Sequence, residues 1–113
     1  MTANTPRSRK SKGAKFQKEI RERLLETFSQ LEEDDIKTAI MGESGMDIKL
    51  SPAAQKVFPF AVEAKAQEKV SLRAWWEQAK NNCDKLQPLV ITKQSRKEPL
   101  VVLSLEQFLE LVK

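Results

Sequence analysis

Asp47, Glu63 and Lys65 are the residues of this 113-residue chain whose types and spacing suit chemistry. Glu63-Ala64-Lys65 closes an apolar stretch that reads as a strand over Val57 to Lys65. In an extended strand residues i and i+2 point the same way, so the Glu63 carboxylate and the Lys65 ammonium share a face. Asp47 opens another extended segment directly after the glycine-containing turn Gly42-Glu43-Ser44-Gly45. If those segments pair, two carboxylates and an ammonium converge on one patch. The chain contains no histidine, which excludes His-based triads and His-ligated zinc. Clustered carboxylates without histidine suit a hard, oxygen-seeking cation, so Mg²⁺, with Mn²⁺ as its substitute, is the expected ion. Such an ion binds a scissile phosphate, lowers the pKa of a bound water and neutralises charge in the transition state. Lys65 then positions or activates that water, or stabilises the developing charge. The bland alternative for Glu63 and Lys65 is a salt bridge on a solvated strand face, worth under ~1 kcal/mol.

The elements that must position these groups follow from periodicity. Phe16, Ile20, Leu24, Phe28 and Leu31 recur at helical spacing and predict an amphipathic first helix over 14–32. The acidic run Glu32 to Asp35 opposes the helix dipole and marks the exit into a loop. Ile36 to Met41 reads as extended. Met46 to Leu50 alternates, with Met46, Ile48 and Leu50 on one face and Asp47 and Lys49 on the other. Ser51-Pro52 breaks that strand, and 53–56 suits a helical turn. In the 57–65 strand, Phe60, Val62 and Ala64 face one way and Ala61, Glu63 and Lys65 the other. Ser71 suits the N-cap of a second helix striped by Leu72, Trp75, Trp76 and Ala79, which Asn81-Asn82 ends. Leu89 to Thr92 and Leu100 to Leu103 read as strands around a turn at Gln94 to Pro99. Ser104 with Gln107 is a capping-box signature for a last helix carrying Leu105, Phe108, Leu109 and Val112 on one face. The predicted order is helix, three strands, helix, two strands, helix.

Composition bounds the rest. Apolar residues make up 40% and charged residues 32% of the chain, an ordinary globular balance sized for one domain. No apolar run approaches the ~20 residues of a membrane helix, and the basic N-terminus lacks the apolar core of a secretory signal. The single cysteine, Cys83, fits a reducing cytoplasm. The net charge of +4 is unevenly spread: residues 1–23 carry eight basic side chains against two acids. We read 1–12 as a flexible basic arm ahead of a single domain at 13–113, a footprint of phosphate-backbone binding or simply a solubilising tail. Arg7, Arg9, Lys10, Lys12 and Lys15, with Lys93, Arg96 and Lys97 from the turn between the last two strands, are the expected contacts to DNA phosphates.

The Gly13-Ala14-Lys15-Phe16-Gln17-Lys18-Glu19 opening, the Gly45-Met46-Asp47-Ile48 segment and Val62-Glu63-Ala64-Lys65 together resemble the PD-(D/E)xK nuclease superfamily. Its members include restriction enzymes, Holliday junction resolvases and phage endonucleases. The Leu50-Ser51-Pro52-Ala53-Ala54 and Phe58-Pro59 segments look like those of small phage proteins carrying the same motif. The resemblance implies an α/β fold with a restriction-endonuclease-like core, a mixed central sheet flanked by helices in the order α-β-β-β-α-β plus a C-terminal strand and helix. It also implies Asp47 and Glu63 as metal ligands, the Ala64 carbonyl completing the metal shell, and Lys65 as the catalytic lysine. Glu19 matches the extra acidic residue that resolvase-like members use near the metal, and Gln78 falls where many members place an active-site glutamine. No proline precedes Asp47, and the Asp47–Glu63 interval carries an insertion around Ser51 to Pro59.

The expected function is therefore Mg²⁺-dependent hydrolysis of DNA phosphodiesters, either junction-resolving or homing/restriction-like, in the cytoplasm and by a homodimer. The competing readings are a non-catalytic nucleic-acid-binding protein on a nuclease-like fold, and an interaction module that docks through its tryptophan helix. Trp75 and Trp76 suit core or dimer contact better than base stacking. Gln67, Glu68 and Lys69, just past the lysine, either touch DNA or lead into the helix.

Overall fold

A computed structural model describes residues 6–40 and 43–113. The first helix, α1, spans Pro6–Thr27 among the described residues. Residues 6–12, expected as an arm, continue this helix, and Gly13 lies within it; residues 1–5 lie outside the described residues. Arg and Lys are good helix formers, and their propensity outweighs the unfavourable placement of positive charge near a helix N-terminus. The helix stops at Thr27, earlier than the periodicity predicts. Thr27 Oγ1 bonds back to the Arg23 carbonyl at 2.8 Å, and Leu31 closes a turn onto Phe28. Arg21 then fastens the helix to the next segment, donating to the carbonyls of Ile36 at 2.6 Å and Glu33 at 2.7 Å.

A short antiparallel pair follows, β1 (Ile36–Thr38) and β2 (Ile48–Leu50), with Ile36 opposite Leu50 and Thr38 opposite Ile48. Ser51-Pro52 ends β2 and at once starts α2 (Pro52–Val57): the Ser51 hydroxyl accepts the Ala54 N–H at 3.1 Å and donates to Asp35 Oδ1 at 2.6 Å. Val57, expected at the head of a strand, therefore ends a helix. The strand β3 is confined to Phe60–Lys65 by that helix and by Pro59.

The helix α3 (Leu72–Asn82) carries the chain across to β4 (Gln87–Thr92), which lies parallel to β3 with Glu63 opposite Val90 and Lys65 opposite Thr92. The strand β5 (Leu100–Val102) returns antiparallel to β4, and α4 (Leu105–Val112) closes the described chain. Ser71 precedes α3 but its side chain makes no cap bond, whereas Ser104 Oγ accepts the Gln107 N–H at 3.1 Å. The three-stranded sheet is mixed, in the order β3-β4-β5, as expected of a restriction-endonuclease-like core flanked by helices.

Both faces of β3 are covered, which accounts for its almost continuous burial. Phe60 and Val62 pack with Phe16 and Ile20 of α1, Ile36, Ile48, Ala54 and Leu89. On the opposite face Val90 packs with Trp75 and Ala79 of α3, with Trp76 and Val102 at the margin. Each such buried Val, Leu, Ile or Phe side chain contributes about 1.5–3 kcal/mol. The alternation along 60–65 thus sorts its side chains as expected between an α1 layer and an α3 layer. The last helix differs from the rest: Leu105, Phe108, Leu109 and Val112 are all exposed.

Candidate active site

Glu63 is 3% exposed, in the covered part of β3, and a carboxylate taken out of water needs partners. Asn82, in the last turn of α3, donates from Nδ2 to Glu63 Oε1 at 3.4 Å, and Lys65 Nζ stands 3.7 Å from Glu63 Oε2. Asp47 reaches the same strand from the other side. Its N–H donates to the Val62 carbonyl at 3.1 Å, and its Oδ2 accepts the Ala64 N–H at 2.7 Å. The Asp47 carbonyl in turn accepts the Ala39 N–H at 2.9 Å, so the residue is held between β1 and β3. The insertion between Asp47 and Glu63 does not separate them, because β2 and α2 double back to bring Asp47 alongside β3.

The electrostatics follow from this packing. Burial pushes the Asp47 carboxyl above its ordinary value, with the Ala64 N–H and the Lys65 charge opposing. Burial also pushes Glu63 up, and the neighbouring Asp47 charge pushes it further, while Asn82 and Lys65 oppose. Two partly desolvated carboxyls, one of them raised by the charge of the other, favour a cation beside them. A residue of a β-strand turns its N–H and C=O to the same edge, so the Ala64 carbonyl opens towards Asp47. Two carboxylates and one carbonyl oxygen form a donor set that fits a hard divalent cation, with water and substrate completing its shell. Among the described residues no group of three or more His, Cys, Asp or Glu side chains converges.

Around this nucleus the expected residues fall in different places. Glu19 is half-buried on α1 and pairs with Lys93, 3.7 Å away, in a cleft also lined by Lys12, Lys15 and Arg96. Gln78 is exposed on α3; the α3 side chain that reaches Glu63 is Asn82. Asn82 follows buried Trp75 by seven residues and Ala79 by three, which puts it on the inward stripe of the helix. That spacing could have identified it, but a pair of asparagines reads as a helix stop. Thr92, 5% exposed and in register with Lys65, accepts Gln94 Nε2 at 3.0 Å. Arg7, Lys10 and Lys97 are exposed, the first two on α1 and the last in the β4–β5 turn. Trp75 is buried in the core, as expected.

The family model described as "Phage putative PDDEXK endonuclease" matches residues 8–113 of the chain. Neither a curated protein nor a solved structure gives a match.

Proposed function

The chain belongs to the phage PDDEXK endonuclease family, and from that premise we propose that it is a Mg²⁺-dependent endonuclease cutting DNA phosphodiesters at Asp47, Glu63 and Lys65. The observation that carries the reading is the bond between the Asp47 carboxylate and the N–H of Ala64. It joins the two separated halves of the motif into one site.

Asp47, Glu63 and the Ala64 carbonyl would hold the cation, with Mn²⁺ able to replace Mg²⁺. A cation held there would polarise the phosphate and make a bound water more acidic. The protein's own groups do the rest. The Ala64 and Val62 backbone keeps Asp47 in place, and Asn82 orients Glu63. Lys65 Nζ, beside Glu63, donates a hydrogen bond to the attacking water or to a phosphate oxygen as charge builds on it. The α3 layer keeps bulk water off one side of Glu63 and so strengthens each of these interactions. Arg7, Arg9, Lys10, Lys12, Lys15, Lys93, Arg96 and Lys97 supply backbone contacts without base preference.

The proposed assembly is a homodimer acting in the cytoplasm of an infected cell. Leu105, Phe108, Leu109 and Val112, at helical spacing, give α4 an exposed apolar face. A twofold contact between two copies buries it on both chains and gives a duplex two sites, one for each strand.

The test is cleavage of supercoiled plasmid and of a synthetic four-way junction, side by side, with Mg²⁺ and with EDTA, by wild type and Lys65→Ala. Metal-dependent cutting that the variant loses supports the nuclease, and the preferred substrate separates junction resolution from sequence-directed cutting. DNA binding with no cutting of any substrate favours the non-catalytic alternative.

A further inference from the structure

The cleft between α1 and the β4–β5 turn encloses about 280 Å³ and gathers four of the eight basic residues proposed to contact DNA. Lys12 and Lys15 line it from α1, Lys93 and Arg96 from the turn, with Phe16 and Ala66 beneath. Lys12, Lys15 and Glu19 follow one another at spacings of three and four, so they share a face of α1. The opposite wall is tied down. Ser95 donates its N–H at 2.8 Å and its hydroxyl at 2.7 Å to Glu68 Oε2, and Gln94 Nε2 donates to the Gln67 carbonyl at 2.9 Å. Arg96 adopts a left-handed φ of 64°, which turns the chain sharply where its side chain joins the cleft wall.

Four cations around one cleft repel each other unless something negative lies among them. The cleft has two acids against its four cations: Glu68, which Ser95 holds and which also faces the charge of Lys12, and Glu19, 3.7 Å from Lys93, so two positive charges stay in surplus. Lysine and arginine clusters are the usual receptors for phosphate oxygens. The cleft also adjoins the reacting strand: Ala66 directly follows Lys65, and the Lys93 N–H donates to the Lys65 carbonyl at 3.0 Å. Because the cleft begins at the residue that follows Lys65, a neighbouring phosphate of the bound strand is the group it would meet.

We infer that this cleft is a binding site for a non-scissile phosphate of the cleaved DNA strand, and that Glu19 is the counter-charge to Lys93 which that phosphate displaces. For the identity of its ligand the inference rests on the nuclease reading. It gives Glu19 a role in substrate binding in place of the metal-ligand role that the family resemblance implies, and it turns four separate basic residues into one site.

The experiment is binding of a fluorescently labelled DNA duplex in EDTA across a salt series, for wild type, Lys93→Ala/Arg96→Ala and Glu19→Gln. The double variant is expected to lower the slope of log Kobs against log salt by about 2, because two phosphate contacts are gone. Glu19→Gln is expected to bind several-fold more tightly, since Lys93 is released to the DNA. An unchanged slope in the double variant overturns the site. Unchanged or weaker binding by Glu19→Gln overturns the counter-charge. Mg²⁺-dependent plasmid cutting by wild type, measured alongside, keeps the two readings apart. Cutting with an unaltered slope removes the cleft and leaves the nuclease, whereas a lowered slope without cutting supports the cleft and removes only the nuclease.

Discussion

The Asp47 carboxylate accepts a 2.7 Å hydrogen bond from the backbone N–H of Ala64, the residue between Glu63 and Lys65. One carboxylate of the site is thus positioned by the main chain that carries the other two functional groups. A shift of β3 moves all three together, so the site behaves as a unit whose members are not independently replaceable.

Asp47→Ala, Glu63→Ala and Lys65→Ala are each expected to lower the cleavage rate by at least about 10², the scale for losing one preorganised electrostatic group. DNA binding measured in EDTA should stay near the wild-type level. Lys65→Arg should not restore cutting, because a planar guanidinium cannot replace a compact ammonium at this position. A variant of the three that keeps full activity in a plasmid-nicking assay would show that the site lies elsewhere.

Glu63→Gln should stabilise the metal-free protein while removing its response to metal. A carboxyl raised in the folded state contributes stability that is present below its unfolded value and is lost as pH rises through its folded value. Burial and Asp47 raise Glu63, so metal-free wild type should lose stability as pH climbs through the carboxylate range, and the glutamine variant should lose less. If the site holds Mg²⁺ as proposed, the ion at 100 times its Kd should stabilise the wild type by about 2.7 kcal/mol, a Tm rise on the order of 10 °C for a chain of this size. Thermal melts with and without Mg²⁺ at two pH values measure both effects. Equal metal shifts in the two proteins would exclude Glu63 as a ligand.

Asn82 acts as a positioning residue through its bond to Glu63. Asn82→Ala removes a group that holds Glu63 down in pKa, so the acidic limb of the pH–rate profile should move to higher pH. Metal affinity should fall about 10–100-fold, as when outer partners of metal ligands are lost. A lower rate with an unmoved pH profile and unchanged metal affinity would indicate a purely structural role.

Ser51 links two elements, capping α2 and donating to Asp35. Ser51→Ala should cost about 1 kcal/mol in denaturant unfolding at neutral pH. The Ser51 hydroxyl is the main reason the Asp35 carboxyl lies below its ordinary value, with the Glu32 N–H adding to it. A lowered carboxyl contributes stability above its unfolded value that disappears as pH falls through its folded value. The deficit of Ser51→Ala should therefore narrow in acid, and a deficit independent of pH would leave only the cap.

Phe108→Asp places a charge in the exposed apolar face of α4. If the proposed dimer forms through this face, light scattering should report a dimer for wild type and a monomer for the variant, with the far-UV circular dichroism of the folded chain retained. Equal masses for the two proteins would rule out a dimer through this face.

Most of the elements that bear the candidate site residues were legible in the sequence. Period-two alternation around Glu63-Ala64-Lys65 sorted side chains between two faces, the stripe of α3 placed Trp75 in the core, and Ser104 with Gln107 marked the start of α4. These are local properties, set by backbone geometry over a few residues. The tertiary structure decided what depends on residues far apart in the chain. It brought Asp47 to Ala64 across seventeen positions, and it set Asn82 rather than Gln78 against Glu63. Glu19 it set beside Lys93, and it left the apolar face of α4 uncovered. Periodicity says that a helix has an apolar face, but which surface covers that face depends on how all the other elements pack.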